Sequence, residues 1–240
     1  MQAFDDVLLE NFMNHFYGYG DYQGDYWLIG MEEGGGNSFE DIEQRLNTWH
    51  RRGRKELENV AEYHIEIGIT TLFQKRPKIQ RTWGKLIRVI LAVEGNSPTT
   101  TQVRKYQKDC LGRPSKNNCL LELFPLPSPS VGHWLYGDYS ALPYLRSRES
   151  YRGKMLEKRI AHLQERIRQY RPRLVLFYSF SYRNHWEEIA GVDFTPVDNE
   201  DFYLAGDENQ TFVIIKHPVV IGLSNEYFHR VGHTVATIFA

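Results

Sequence analysis

Cysteine is nearly absent from the chain. Cys110 and Cys119 are the two among 240 residues, too few for a disulfide framework or a four-thiolate cluster. Long apolar runs are missing as well, and none approaches the ~20 residues needed to span a bilayer. The opening MQAFDDVLLENF is acidic and lacks the basic first region of a secretory signal, so a cytoplasmic location is the expectation. The common nucleotide motifs are absent: neither G-x-x-x-x-G-K-[ST] nor G-x-G-x-x-G occurs. The one glycine run, Gly34-Gly35-Gly36, follows two glutamates that would repel phosphate, which excludes a nucleoside triphosphate site. G-x-S-x-G is absent too, which argues against an α/β-hydrolase nucleophile. His229 and His233 stand at i and i+4 in HRVGH, but H-E-x-x-H is not formed and no third ligand is evident. No metal and no cofactor are therefore expected.

An excess of either charge is also lacking. The chain has 29 basic and 30 acidic residues, a net charge of −1, which excludes a uniformly basic coat for nucleic acid. The balance is uneven along the chain. Residues 1–50 carry one basic and ten acidic groups, whereas 51–119 carry fifteen basic and six acidic. Residues 120–190 carry eleven and seven, and 191–240 carry two and seven. Such sign asymmetry hints at a polyanionic partner, the alternative being solvated helix faces. Aromatic residues reach 14%. Most belong in a core, though Tyr and Trp beside basic residues also suit base stacking.

No internal repeat, low-complexity tract or long linker is present. The stretch 128–145 (SPSVGHWLYGDYSALPYL) is too aromatic for a tether, and a single domain over 1–240 is expected. Four short apolar runs read as buried strands: 26–31 (YWLIGM), 119–123 (CLLEL), 174–178 (LVLFY) and 211–216 (TFVIIK). Their continuous apolarity suits strands covered on both faces. Apolar residues at helical spacing mark helices over 83–93 and 151–170. Pro172 ends the second of these, and a further helix opens after Ser224. Helices alternating with buried strands predict an α/β protein, a three-layer α/β/α sandwich on a mostly parallel four-stranded sheet.

Each strand runs directly into an unusual loop. These loops project from the carboxyl edge of a parallel sheet, where ligands bind. Glu32, Glu33, Ser128, Ser130, Asn184 and His217 are thereby expected to converge on one cleft. A carboxylate there can orient water or act as a base, and glycines beside it let backbone approach a ligand. An exposed turn is the alternative. A neutral His217 can donate to charge developing on a substrate, or it can be a satisfied structural histidine.

With these loops in view, the chain resembles the uracil-DNA glycosylase superfamily. Leu28-Ile29-Gly30-Met31-Glu32-Glu33-Gly34 is similar to its first motif, a strand ending in G-Q-D-P-Y or G-E-A-P-G. Ile215-Lys216-His217-Pro218-Val219-Val220-Ile221-Gly222-Leu223 is similar to its last, a strand ending in H-P-S before a leucine-bearing loop. Leu121-Glu122-Leu123-Phe124-Pro125-Leu126-Pro127-Ser128-Pro129 looks like its middle strand with a Pro-rich loop. Residues 76–87 (RPKIQRTWGKLI) are faintly similar to the R-P-F-V-G-R-A-G-K-L-L run of the cluster-bearing branches. The order of motifs covers nearly the whole chain.

The resemblance implies a base-excision N-glycosylase that flips its target base out of DNA. Glu32 would position water and His217 would act as electrophile. Val220, Ile221 or Leu223 would wedge into the duplex, with Ser128 and Ser130 also against DNA. Phe39 or Trp83 would stack on the base, and Glu33, Gly34, Glu122, Phe124 and Asn184 would complete its pocket. Basic residues at 51–55, 75–81 and 146–159 would hold phosphates. Three positions depart from the family: Glu32-Glu33 where a proline is kept, Glu122 where a base-reading asparagine is expected, and Val219 where serine is usual. A carboxylate cannot offer the paired donor and acceptor of an amide, so the base is left open. Two other readings stay open: a non-catalytic binder of nucleic acid or nucleobase, and a metal-assisted phosphoesterase using Glu32, Glu33 and the two histidines.

Overall fold

The computed structural model describes residues 2–239. In chain order the elements are α1 (Asp6–His15), β1 (Gly18–Gly20), β2 (Tyr26–Glu32), α2 (Phe39–Arg51), β3 (Leu57–Glu58) and α3 (Val60–Glu66). Then come α4 (Arg81–Val93), α5 (Thr100–Asp109), β4 (Asn118–Phe124), α6 (Tyr136–Tyr139), α7 (Arg148–Tyr170) and β5 (Leu174–Tyr178). The chain ends with α8 (Arg183–Ala190), β6 (Thr195–Pro196), β7 (Phe202–Gly206), β8 (Thr211–Ile215) and α9 (Asn225–Ile238). No helix among the described residues is long and apolar enough to cross a membrane.

All eight strands described join one mixed sheet in the order β3-β1-β4-β2-β5-β8-β7-β6. This corrects the expectation of a four-stranded sheet. The four strands legible as apolar runs are its centre: β2 runs parallel to both β4 and β5, and β5 parallel to β8. The sheet is extended by β1, antiparallel to β4, and by β7, antiparallel to β8. The added strands are short, and β6 and most of β7 are not fully buried, so they carry little of the apolar signal that marks a core strand. By contrast every residue of β4, β5 and β8 is buried.

Local chemistry sets the helix limits. Ser147 accepts from the Ser150 amide at 3.1 Å to start α7, and Arg171 turns left-handed before Pro172 to stop it. Thr99 and Gln102 form a reciprocal capping box on α5. One buried guanidinium ties α7 to the sheet: Arg159 donates to the carbonyls of Leu123, Glu122 and Phe16 at 2.7, 2.7 and 2.8 Å. Its face lies 3.5 Å from the Tyr17 ring centre. The charge finds no carboxylate here, and its donors satisfy carbonyls at the ends of two segments.

The most extensive contact between two helices among the described residues is that of α4 with α9. A Cβ added at Gly232 would lie 2.5 Å from both Ala92 Cβ and the Val89 carbonyl oxygen, so only glycine allows this approach. Gly232→Ala is therefore expected to cost about 1–3 kcal/mol through overpacking, although alanine is the better helix former by roughly 1 kcal/mol. A lower urea midpoint at unchanged slope is the expected reading. A stabilised variant would show that the helices do not meet at Gly232.

Candidate functional site

In a parallel sheet a ligand crevice opens where the order of strands reverses, outside their carboxyl ends. Taken in chain order, the four parallel strands stand second, first, third, fourth across the sheet, which puts the reversal between β2 and β5. A cavity of about 690 Å³ opens at the strand ends there, within the ~300–1,000 Å³ of small-molecule sites. Glu32, Glu33, Ser128, Ser130 and His217, gathered by the strand-end argument, line it, as do Gly34, Trp83 and Glu122, which the resemblance suggested.

Its floor is a row across three strands. Gly30 of β2 pairs in register with Glu122 of β4, and Tyr178 ends β5 on the other side. A Cβ at Gly30 would meet the Tyr178 hydroxyl at 2.1 Å and Glu122 Oε2 at 2.5 Å. The bare Cα thus lets Tyr178 reach over β2 and donate to Glu122 Oε1 at 2.9 Å. Glu122 Oε2 has no hydrogen-bond partner. Burial pushes the Glu122 carboxyl up to about 8, with Glu33 and Glu32 adding repulsion, against weaker opposing effects of Tyr178 and Arg159.

The two glutamates at the end of β2 are held differently. Glu33 Oε2 accepts from Tyr19 at 2.8 Å, while Oε1 faces Arg45 at 3.3 Å and His64 Nε2 at 3.2 Å. His64 Nδ1 lies 2.7 Å from the Val60 carbonyl, so both ring nitrogens face oxygen acceptors. Burial alone would raise the Glu33 carboxyl, but Arg45, His64 and Tyr19 outweigh it and bring it down to about 2. Glu32 meets two arginines of α7. Arg152 binds Oε1 through Nε and Nη2 at 2.9 and 2.8 Å, and Arg148 binds Oε2. Arg148 also donates to Ser128 Oγ at 2.6 Å and to the carbonyls of Ser130 and His133 at 2.9 and 2.8 Å.

His217 closes the far side, with its ring edge-on to Tyr178 at 5.8 Å. Nδ1 accepts from the Val219 amide in a long contact of 3.4 Å, which assigns the ring proton to Nε2. Burial lowers the basicity of the ring, so the neutral donor form prevails at pH 7. Beyond it, residues 218–222 carry exposed aliphatic side chains: Val219 and Val220 are about half exposed and Ile221 fully so. Val220, Ile221 and Leu223 line an adjoining groove of about 510 Å³ together with Arg81, Lys85 and Arg88. A further groove of about 500 Å³ is lined by Lys75, Arg76, Arg104, Lys105 and Lys108.

Several expectations need correction. Phe39 does not face the cavity: it stacks on Phe4 at 4.7 Å inside the core, because it opens α2 on that helix's buried side. Phe124 is buried against Tyr151 and Arg152, and Asn184 is exposed where α8 turns it outward. Most of the 146–159 arginines are not free for phosphate, since Arg148 and Arg152 pair with Glu32 and Arg159 is buried. Arg52 likewise binds Glu58, Glu62 and Glu66. His229 Nε2 stands 3.4 Å from Arg88, and no cluster of three or more metal-ligating side chains occurs among the described residues. Arg45, His64 and Tyr178 line the cavity without sequence warning, and so do Ser179 and Tyr182 of the third strand-end loop and Arg152 of the basic segment, which the sequence does not single out for it. Ser179 with φ 95° is a conformation that only coordinates reveal.

A scan against protein-family models and searches of curated proteins and of solved structures return no match to this chain.

The buried Glu33–Arg45 pair gives a direct test. Glu33 binds its proton more weakly folded than unfolded, so its contribution is full above about pH 4.5 and lost as pH falls through about 2. Arg45→Met leaves a buried carboxylate short of its main countercharge and is expected to destabilise by roughly 3–5 kcal/mol at pH 7. Acid unfolding should then begin at higher pH. An unchanged acid limb in pH-dependent denaturation would show the pair to be unimportant.

Proposed function

We propose that the chain is a DNA-repair-type base-excision N-glycosylase, a divergent relative of the uracil-DNA glycosylase superfamily that its motifs resemble. The observation that carries this reading is one cavity at the carboxyl edge that holds both Glu32 and His217, beside a loop tipped by the exposed Ile221. We also infer the three-layer α/β/α arrangement: the fully buried central strands require cover on both faces, which two groups of helices, α4 with α5 and α9, and α7 with α8, are suited to supply.

Hydrolysis breaks the bond between the sugar carbon and the base nitrogen, whose electrons leave with the base, and forms one from that carbon to a water oxygen, whose proton is lost to solvent. In this reading Glu32 orients the water through a remaining lone pair. The neutral His217 Nε2–H donates to the departing base as it gains negative charge. Ile221 fills the space left in the duplex, and Lys75, Arg76, Arg104, Lys105 and Lys108 supply phosphate contacts. The base that is excised is the open term.

A second reading is favoured by one observation. Both Glu32 oxygens are already bound by arginines, which weakens the group as a base and suits a non-catalytic nucleobase or nucleic-acid binder.

Duplexes carrying uracil, hypoxanthine, oxidised or alkylated bases, followed by alkaline strand scission, separate the two. Excision is expected on one of them, falling about 10²–10³-fold in His217→Ala. Ile221→Asp should slow excision from duplex far more than from single strands. No excision anywhere, with affinity whose logarithm falls linearly with log salt, would select the non-catalytic binder. Neither excision nor binding would remove both.

A further inference from the structure

One segment separates the cavity from two basic grooves. Along residues 75–83, Gln80, Thr82 and Trp83 line the cavity. Ile79 and Arg81 line the groove of about 510 Å³ that also holds the 218–222 loop. Lys75 and Arg76 line the groove of about 500 Å³ whose other wall is α5. The segment is a ridge fixed from below. Gln107 of α5, fully buried, donates to the carbonyls of Leu72 and Lys78 at 3.0 and 2.9 Å and accepts from the Gln80 amide at 2.9 Å. On the α4 side, a Cβ added at Gly84 would stand 2.4 Å from Ile79 Cγ2, so the ridge lies directly on that helix.

The two faces of α5 differ. Val103 and Gln107 are buried, whereas Thr101, Arg104, Lys105 and Lys108, at i, i+3, i+4 and i+7, form one stripe that lines the groove. Lys105 is matched to Asp109 at 3.3 Å, and that aspartate is the one carboxylate in the groove wall. Lys75, Arg76, Arg104, Lys108 and, in the second groove, Arg81 make no ion pair or side-chain hydrogen bond among the described residues, and all but Lys108 are exposed. A cleft lined by one sign of charge, uncompensated by carboxylates, complements an extended polyanion.

The α7 flank is the reverse. Its groove, of about 480 Å³, adjoins the cavity through Met31, Arg152 and Tyr182 and shares no lining residue with the basic pair. The arginines there, Arg148 and Arg152, are bound to Glu32, and Glu149 adds a negative charge. Arg183 of α8 pairs with Glu187 at 2.7 Å. Arg146 and Lys154 are exposed but line none of the three grooves.

We propose that a nucleic-acid backbone reaches the cavity from one flank alone, running along α5 and over the 75–81 ridge to Arg81 and the 218–222 loop, while the α7 flank stays clear of phosphate. The inference rests on the nucleic-acid partner of the function proposed above, and not on excision. It adds a direction to that reading. The chain grips the strand on one side of the flipped nucleotide, so a target close to a strand end stays within reach when the strand continues over α5.

Lysine reactivity and salt dependence test the path on the full chain, with random-sequence duplex DNA as the probe. Bound duplex is expected to protect Lys75, Lys105 and Lys108 from reductive methylation and to leave Lys154 reactive. The cations Lys75, Arg76, Arg81, Arg104 and Lys108, at ~0.9 per phosphate contact, give a slope of log affinity on log salt of about −4.5. Arg104→Gln with Lys108→Gln should weaken binding to all sequences alike and reduce that slope by about 2. Arg146→Gln with Lys154→Gln should change neither. Equal losses in the two double variants, or protection of Lys154, overturns the one-sided path. Binding to phosphatidylserine vesicles without binding to duplex overturns nucleic acid as the occupant. Excision that survives the α5 double variant unchanged sinks the path and leaves the glycosylase reading standing. The expected dependence on α5 without excision of any base supports the path and selects the non-catalytic binder.

Discussion

Three carboxyl groups, Glu32 and Glu33 from β2 and Glu122 from β4, share one small volume, and their mutual repulsion is the constraint on which the site depends. Each is accommodated by a different route. Glu32 takes two arginines from α7. Glu33 takes a buried arginine from α2, a histidine from α3 and a tyrosine from β1. Glu122, on the floor, has no ionic partner, and burial pushes its carboxyl up to about 8. Because the countercharges come from separate elements, the same contacts that neutralise the cavity also dock α2, α3 and α7 at the carboxyl edge. Stability and site geometry are therefore coupled: an uncompensated charge here loosens a helix as well as altering a ligand contact.

Much of this was legible in the chain before any coordinates. Unbroken apolarity located the four parallel strands, and the rule that ligands gather at their carboxyl ends gathered Glu32, Ser128 and His217, which lie far apart in sequence. Illegible were features that depend on side-chain direction. Phe39 and Asn184 sit next to cavity loops in sequence, yet helix rotation sends one into the core and the other to solvent. Tyr178 looked like the last apolar residue of a strand, because nothing local reveals that its hydroxyl crosses the bare Cα of Gly30. The upward shift of the Glu122 carboxyl was equally hidden. It follows from how arginines are allocated among three glutamates, and that allocation is a tertiary fact.

The charge pattern was half informative. Clustering of basic residues between 51 and 190 was real, but folding divided them by role. Arg148, Arg152 and Arg159 of α7 face inward on carboxylates and carbonyls, while the basic residues of 75–81 and α5 remain outside. Sequence blocks of one sign therefore mix structural and solvent-facing charges. The acidic first block is likewise not a negative surface at the site: of its two cavity glutamates, Glu33 is matched by the block's own Arg45 and Glu32 by Arg148 and Arg152 of α7.

Arg148 has a consequence for how the cavity is entered. By joining Glu32 to Ser128 and to the carbonyls of Ser130 and His133, one guanidinium fixes the end of β2, the proline-rich loop and the first turn of α7 as a unit. The facing wall, residues 218–222, has side chains that are mostly in solvent, and one side-chain tether, Lys85 Nζ to the Leu223 carbonyl at 3.1 Å, lies at its end. The mouth thus sets a wall held by side-chain hydrogen bonds against one whose aliphatic side chains lie in solvent. A ligand meets the first already ordered and loses little freedom against it, and the apolar surface it can bury on the other side is that of Val219, Val220 and Ile221.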